Sequence, residues 1–323
     1  MSTELRVLIL AAGKGTRMRS RRAKVLHEVC GWPILEYVLQ AVAPLNPEET
    51  IVVIGHQGEQ VRERFAGRGL TFVEQQEQLG TGHALLQARP ALEGKGGELL
   101  IIPGDLPLLR AEPLKRFIAF HDGALSLLTM ELEDPSGYGR IVRDRQGDVA
   151  RIVEERDATQ EQERIREVNS GIYLVHNDHL LWETLSELDD ANAQGEYYLT
   201  DVVSRYRERG EAVRALVAVE GEELLGVNSR MDLARAEVVL RRRKLSRIMA
   251  VGATVIVPET VIVEQDVQVG EEAIIGLGSA IRGRSRIGGG ALIESSLVED
   301  FAIGERSRII MSLISCKRQK EGQ

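Results

Sequence analysis

Through the first two-thirds of the chain, short aliphatic runs alternate with longer stretches whose apolar positions recur every three or four residues. Arg6–Leu10, Thr50–Ile54, Leu99–Ile102 and Ser126–Met130 have the length and continuous apolarity of strands buried on both faces. Ile34–Ala43 and Gly82–Ala88 carry helical spacing instead. Strand-then-helix alternation predicts an α/β domain, Rossmann-like, with a mostly parallel sheet covered on both sides. Ligands of such sheets sit beyond the carboxyl ends of the strands, which directs attention to the loops after Leu10 and Ile102. From Ser229 to Met249 the pattern is that of one long helix, and its basic cluster Arg241–Lys244 reads as a solvated face.

After Gly252 the period changes to six. Val257, Val263, Val269, Ile275, Ile281, Ile287 and Ile293 recur at that interval. Four residues after each come Val261, Val267, Ala273, Ser279, Ser285, Ala291 and Leu297, mostly small or compact, and Leu297, Ile303 and Ile309 resume the period after a shift. This pattern predicts a hexapeptide parallel β-helix. Each aliphatic residue would point into a narrow prism, and each small one would allow a tight corner. Such units bury a core only by stacking.

Composition narrows the classes. The chain has 323 residues, 43% hydrophobic and 28% charged, which excludes a disordered chain, a collagen and a disulfide scaffold and suggests two domains. Acidic residues exceed basic ones by 49 to 41, a net charge of −8, and aromatics are only 4%. Neither value suits a nucleic-acid-coating surface or a base-stacking platform, so no nucleic-acid partner is expected. Cys30 and Cys316 show no ligand spacing, no signal pattern opens the chain, and no apolar run reaches membrane length. A cytoplasmic protein with no membrane association is the expectation.

The first strand runs into Leu10-Ala11-Ala12-Gly13-Lys14-Gly15-Thr16-Arg17-Met18, where small residues let the backbone approach a ligand and offer N–H groups to phosphate oxygens. A dinucleotide fingerprint would need glycine where Met18 stands, and a P-loop would need Gly-Lys-Ser/Thr. Of the nearby cations, Arg19, Arg21 and Arg22 read as solvated. Arg17 and Lys24 are the better candidates, one closing the loop and the other introducing Val25-Leu26. Gly104-Asp105 follows the third buried run, placing a carboxylate either to hold Mg²⁺ or to form a turn. Gln75, Gln78 and Gly80-Thr81-Gly82 have the chemistry to read a base, or to cap the next helix. His27, His56 and His83 show no metal spacing.

Together these segments resemble the sugar-nucleotide pyrophosphorylases. The narrower similarity is to the bacterial bifunctional N-acetylglucosamine-1-phosphate uridylyltransferase/glucosamine-1-phosphate acetyltransferase family. It rests on Leu10–Met18 with Lys24–Leu26, Glu77–Ala84, Gly104-Asp105, Gly137–Ile141, Ile152–Glu154 with Asp157-Ala158, Asn169–Gly171, Ala193–Tyr198 with Thr200-Asp201, and Gly226–Asn228. The family places a left-handed β-helix where the hexads occur.

The resemblance implies Mg²⁺-dependent formation of UDP-N-acetylglucosamine and pyrophosphate from UTP and N-acetylglucosamine 1-phosphate. It implies that Leu10, Ala11, Ala12, Gly13, Gln75, Gly80 and Thr81 hold the nucleotide, with Gly104 beside them. Gly139, Glu154, Asn169 and Tyr198 would hold the sugar, Asp105 and Asn228 the metal, and Arg17 and Lys24 would be the catalytic cations. The implied organisation is a nucleotidyltransferase domain over 1–228, a linker helix over 229–250, a short β-helix over 251–315 and a polar tail over 316–323. Pro103 departs from the family's tyrosine before Gly-Asp. The family's acetyltransferase residues lie in later coils, so acetyl transfer by these 323 residues is not expected. Family β-helices associate as trimers, which makes a homotrimer the expected assembly. Two other readings stay open: a uridylyl- or thymidylyltransferase acting on glucose 1-phosphate, and a non-catalytic nucleotide-sugar sensor.

Overall fold

The computed structural model describes residues 4–316. It divides into two compact units, one formed by residues 4–27 and 34–229, the other by residues 28–33 and 230–316.

In the first unit, nine strands among the described residues join in one sheet: β1 (Leu5–Ala11), β2 (Glu49–Ile54), β3 (Thr71–Glu74), β4 (Glu98–Pro103), β5 (Leu125–Glu131), β6 (Arg140–Arg143), β7 (Val149–Val153), β8 (Glu167–His176) and β9 (Val213–Val217). Their order is β9-β5-β8-β4-β1-β2-β3, with β6 pairing both β8 and β7. The half β4-β1-β2-β3 is parallel, as is the β5-β9 pair, whereas β8 runs antiparallel to both β4 and β5.

The apolar runs are continuous because both faces are covered. Val7 and Ile9 of β1 enter one core layer and Leu8 the other; Leu100 and Ile102 of β4 oppose Leu99 and Ile101 in the same way. The first layer is closed by helices Ile34–Val42, Gly58–Arg64 and Ala111–Phe120, through residues such as Leu35, Val61 and Phe117. Helices Thr81–Gln87, His179–Ser186 and Asp201–Glu208 close the second, through Leu85, Trp182 and Tyr206. Side chains of a strand alternate between faces, so a strand with helices on both sides needs apolar residues at every position.

The second unit contains helix Arg230–Ala250, a hairpin of Glu28–Val29 with Trp32–Pro33, and three stacks of very short parallel strands. One stack runs through Thr254–Val255, Ile274–Ile275, Leu292–Glu294 and Arg308–Ile310, and the others repeat the arrangement on two further sides. This is the β-helix that the hexads imply. Val263, Ile275, Ile281, Ile287 and Ile293 are buried in its core with Ala273, Ser279, Ser285 and Ala291 at the corners.

Three expectations are corrected here. Val257 does not enter the prism: its backbone is left-handed at φ 54°, it is 46% exposed, and Val255 stacks on Ile275 instead. Leu297 does not either; Val298 pairs with Ile281 and is fully buried, and Ser296 takes the corner. Coil length is not constant, being 20 residues at Thr254↔Ile274, 18 at Ile262↔Ala280 and 16 at Leu292↔Arg308, so a strict period of six fails near both ends of the array. The basic cluster is not wholly solvated. Lys244 is buried and its Nζ donates to the carbonyls of Gln265 (2.9 Å) and Val267 (2.6 Å), while Leu245 and Ile248 join the β-helix core.

Candidate active site

A cavity of about 540 Å³ opens at the carboxyl ends of β1, β3, β4 and β7. Leu10, Ala11, Ala12, Gly13, Lys14, Gly15 and Thr16 form one wall as the chain leaves β1. Gly15 sits at φ 59°, and a Cβ there would lie 2.9 Å from the Lys24 Cβ. Only glycine lets the loop close this tightly over the lysine stem.

The opposite wall starts from β3. Gln75 is buried, and its side-chain amide donates to the Gly80 carbonyl at 3.0 Å. Gly80, at φ 112°, precedes helix Thr81–Gln87, and a Cβ on it would lie 2.5 Å from the Tyr197 carbonyl oxygen. Thr81 Oγ1 accepts from the Leu199 N–H at 3.1 Å, and Gly82 N–H donates to the Tyr197 carbonyl at 2.8 Å. The turn opens its helix without a side-chain cap, its Gly82 N–H being taken by the Tyr197 carbonyl, and it lines the cavity.

At the tip of β4, Gly104 does not line the cavity; its N–H donates to the Leu10 carbonyl at 2.8 Å and ties the two strand ends together. Asp105, next along, accepts a short hydrogen bond from Lys24 Nζ, and Asn228 Oδ1 accepts from the same ammonium at 3.2 Å. The Val227 N–H donates to the Asp105 carbonyl at 2.9 Å, which fixes residues 226–228 beside the aspartate. Side-chain exposures of 14% for Lys24 and 16% for Asp105 leave this ion pair partly shielded from water, where its attraction exceeds that of a surface pair.

A smaller recess of about 210 Å³, lined by Gly139 and Asn228 among others, shares Pro103, Asp105, Glu154, Asn169 and Gly171 with the main cavity. The register of β8 against β5 shifts between Asn169 and Ile172. That bulge aims Asn169 at the cavity rather than along the sheet. Its side chain is fixed on both sides: Oδ1 accepts from the Gly171 N–H at 3.0 Å and Nδ2 donates to Tyr173 Oη at 2.7 Å. Burial pushes the Tyr173 phenol well up, so it stays protonated. Gly171 also faces Pro103, where a Cβ would lie 2.7 Å from the proline Cγ.

Glu154, from the end of β7, accepts a hydrogen bond from Thr200 Oγ1 at 3.1 Å. Burial pushes its carboxyl above the usual range, and nearby Asp201, Asp157 and Glu196 add to the effect. One end of the cavity thus presents hydrogen-bonding carboxyl and amide groups, and the other presents cations and backbone N–H groups.

Besides Gly104, two expected residues stand apart from the cavity lining. Arg17 is exposed, in the turn Thr16–Met18 beyond the loop. Tyr198 is buried, with its hydroxyl bonded to Gln194 (2.8 Å) and Asp157 (3.4 Å). Gln78, a candidate base reader, lines the cavity, and so do Lys14, Glu196 and Thr200, which were not singled out as binding residues. Their signal lay in the motifs themselves, each of which holds one of them.

Comparison with known proteins places this chain among its relatives. Residues 7–159 match the MobA-like NTP transferase domain. The chain is 43% identical over 311 residues to the bifunctional protein GlmU of Streptococcus gordonii, covering 95% of this chain and 67% of that protein. It is 42% identical over 311 residues to the bifunctional protein GlmU of Halalkalibacterium halodurans, with 95% and 68% covered. A solved Bacillus anthracis structure assigned as a glucose-1-phosphate thymidylyltransferase superposes with a TM-score of 0.56 at 19% identity, covering 73% of this chain and 94% of that one, which shows the fold.

Proposed function

We propose that this chain, which belongs to the family of the bifunctional GlmU proteins and is a nucleotidyltransferase, transfers UMP from UTP to N-acetylglucosamine 1-phosphate and releases pyrophosphate. The observation that carries the reading is the convergence of Lys24, Asp105 and Asn228 at the mouth of the glycine-rich loop.

The chemistry asks little of an enzymic base. The sugar phosphate is ionised at neutral pH and is itself the nucleophile. One of its oxygens bonds to the α-phosphorus as the bond to the bridging oxygen of the β-phosphate breaks, and the electron pair leaves with pyrophosphate. The barrier lies in bringing two anions into line and in carrying the charge that develops on the leaving group. Lys24 supplies a point charge beside the reacting phosphates, and Arg17, on the adjoining turn, is assigned to the departing pyrophosphate. Loop N–H groups hold phosphate oxygens, Gln75 reads the uracil edge, and Glu154, Asn169 and Gly139 hold the sugar.

The donor set at Asp105 and Asn228 suits a hard cation, since a carboxylate oxygen and an amide oxygen already converge on one positive group, the Lys24 ammonium. Asp105 and Asn228 would hold Mg²⁺, which would supply positive charge to offset the repulsion between the phosphates.

The test is pyrophosphate release with UTP, dTTP, CTP or GTP crossed with N-acetylglucosamine 1-phosphate or glucose 1-phosphate, with and without Mg²⁺. The UTP and N-acetylglucosamine 1-phosphate pair is expected to dominate. Silence in every combination would overturn the enzymatic reading in favour of a nucleotide-sugar sensor. The same preparation tests acetyl transfer, through coenzyme A release dependent on glucosamine 1-phosphate; none is expected. A homotrimer through the β-helix, in keeping with its exposed Leu277, Phe301 and Leu313, is read by light scattering. A cytoplasmic setting agrees with Cys30 and Cys316 being free thiols, and no described helix is long and apolar enough to cross a membrane.

A further inference from the structure

We propose that Glu98, His121 and His176 bind a d-block divalent cation such as Zn²⁺, at the end of the sheet opposite the nucleotide cavity. Glu98 opens β4, the strand whose other end leads to Asp105, so at about 3.3 Å per residue the two sites are roughly 20 Å apart. His176 ends β8 and lies directly across from Glu98 in the antiparallel ladder. His121 follows helix Ala111–Phe120. Three elements distant in sequence thus bring two imidazoles and one carboxylate together, with ligand atoms all within 4.8 Å of one another.

In detail, both imidazoles approach the Glu98 carboxylate closely. His176 Nδ1 lies 3.0 Å from Glu98 Oε1, and His121 Nε2 lies 3.2 Å from Glu98 Oε2. Yet Glu98 Oε2 and His121 Nε2 are buried and neither makes a hydrogen bond, because their orientation fails even at that distance. Leaving both unsatisfied is costly, and one bound cation satisfies both. A tetrahedral metal with bonds of about 2.0–2.2 Å needs ligand atoms roughly 3.3–3.5 Å apart, a few tenths of an ångström from the two Glu98–histidine distances.

The surroundings fit as well. His121 Nδ1 is 2.7 Å from the Oγ of Ser126, which is fully buried, so an Nδ1–H donated to the serine turns the Nε2 lone pair toward Glu98. Side-chain exposures are 6% for His121 and 11% for Glu98 but 46% for His176, which leaves one side open for entry and for a water ligand. Two nitrogens and one carboxylate suit Zn²⁺ and its neighbours, whereas the oxygen pair at Asp105 and Asn228 suits Mg²⁺. Bound metal would clamp the end of helix Ala111–Phe120 to the two central strands.

The experiment uses the full chain, stripped with chelator and dialysed, titrated with Zn²⁺ by calorimetry and with Co²⁺ by visible absorption. The expected result is one equivalent bound, tetrahedral Co²⁺ bands and a rise in Tm with Zn²⁺. His176→Ala, at a half-exposed position, and Glu98→Gln should each abolish the bands and weaken binding at least tenfold, with circular dichroism unchanged. Ser126→Ala should weaken it by about 10–100-fold while the bands persist. Absence of stoichiometric binding and of Co²⁺ bands in the parent would overturn the proposal. So would equal binding by His176→Ala, which would trace the metal to other surface groups. Mg²⁺-dependent pyrophosphate release should be the same in His176→Ala, so failure here leaves the transferase reading standing.

Discussion

Asp105→Asn removes one negative charge from the centre of the proposed site while leaving its shape almost unchanged. In the structure that carboxylate takes a short hydrogen bond from Lys24 Nζ, and the ammonium has Asn228 Oδ1 at 3.2 Å as a second acceptor. At an effective dielectric near 20, a charge pair at this kind of separation attracts by about 4 kcal/mol, against which desolvation must be set. Stability should therefore fall by only about 1–2 kcal/mol, because the asparagine oxygen still accepts from Lys24, though without its charge. Turnover should suffer more. The substitution weakens a cation site and frees Lys24 to shift, and loss of one charge-stabilising contact of this type costs on the order of 10²–10³ in kcat. The assay is pyrophosphate release against UTP and N-acetylglucosamine 1-phosphate over a Mg²⁺ titration, beside thermal melts of the same samples. Retention of kcat within about threefold of the parent, at an unchanged half-saturating Mg²⁺, would refute the assignment of Asp105.

Three further outcomes are expected. Arg17→Ala should lower kcat by about 10²–10³ with little change in UTP affinity by calorimetry, since an exposed arginine beyond the loop is assigned to the leaving group and not to nucleotide binding; a loss confined to affinity would contradict that role. Gly80→Ala should raise the KM for UTP and lower Tm by several degrees, because its Cβ would meet the Tyr197 backbone at 2.5 Å in a φ 112° conformation; a variant with the parent's Tm and KM would rule the clash out. Lys244 is held down to about 8 from its ordinary 10.5, by burial and then by Arg247. Between those values the unfolded chain binds more protons, so stability should rise with pH across that window, by about 1 kcal/mol from pH 8 to 9. Above pH 9 Cys30, pushed up to about 12 by burial and Glu237, works in the opposite direction. Denaturant melts of Lys244→Met should lack the rise between pH 8 and 9.

Much of the molecule can be read in one dimension. The four aliphatic runs of the first unit are strands β1, β2, β4 and β5, each extended by a residue at either end except β2, which gains one only at its start. The loop after β1 and the Gly104-Asp105 step lie at the carboxyl strand ends, where the alternation placed them. Strand β8 was not visible, because Asn169-Ser170-Gly171 interrupts its apolar pattern. The interruption is the bulge that points Asn169 into the cavity. Tyr198 was singled out by its motif, but only packing reveals that its hydroxyl is already engaged by Gln194 and Asp157.

The amino-acid order by itself determined the alternation of buried strands and helices, the change to a six-residue period, and the set of small, cationic and acidic residues at the strand ends. These are local properties: side-chain period, turn preference and the absence of Cβ atoms act over a few residues, so they leave a mark in sequence. Tertiary structure alone decided the antiparallel placement of β8, the unequal coil lengths that leave Val257 and Leu297 outside the prism, and the burial of Lys244 against two carbonyls. It alone brought Lys24, Asp105 and Asn228 to one point, and Glu98, His121 and His176 to another. The reason is that charges and ligands interact through space, and the separations that matter are set by which strands the chain chooses to pair.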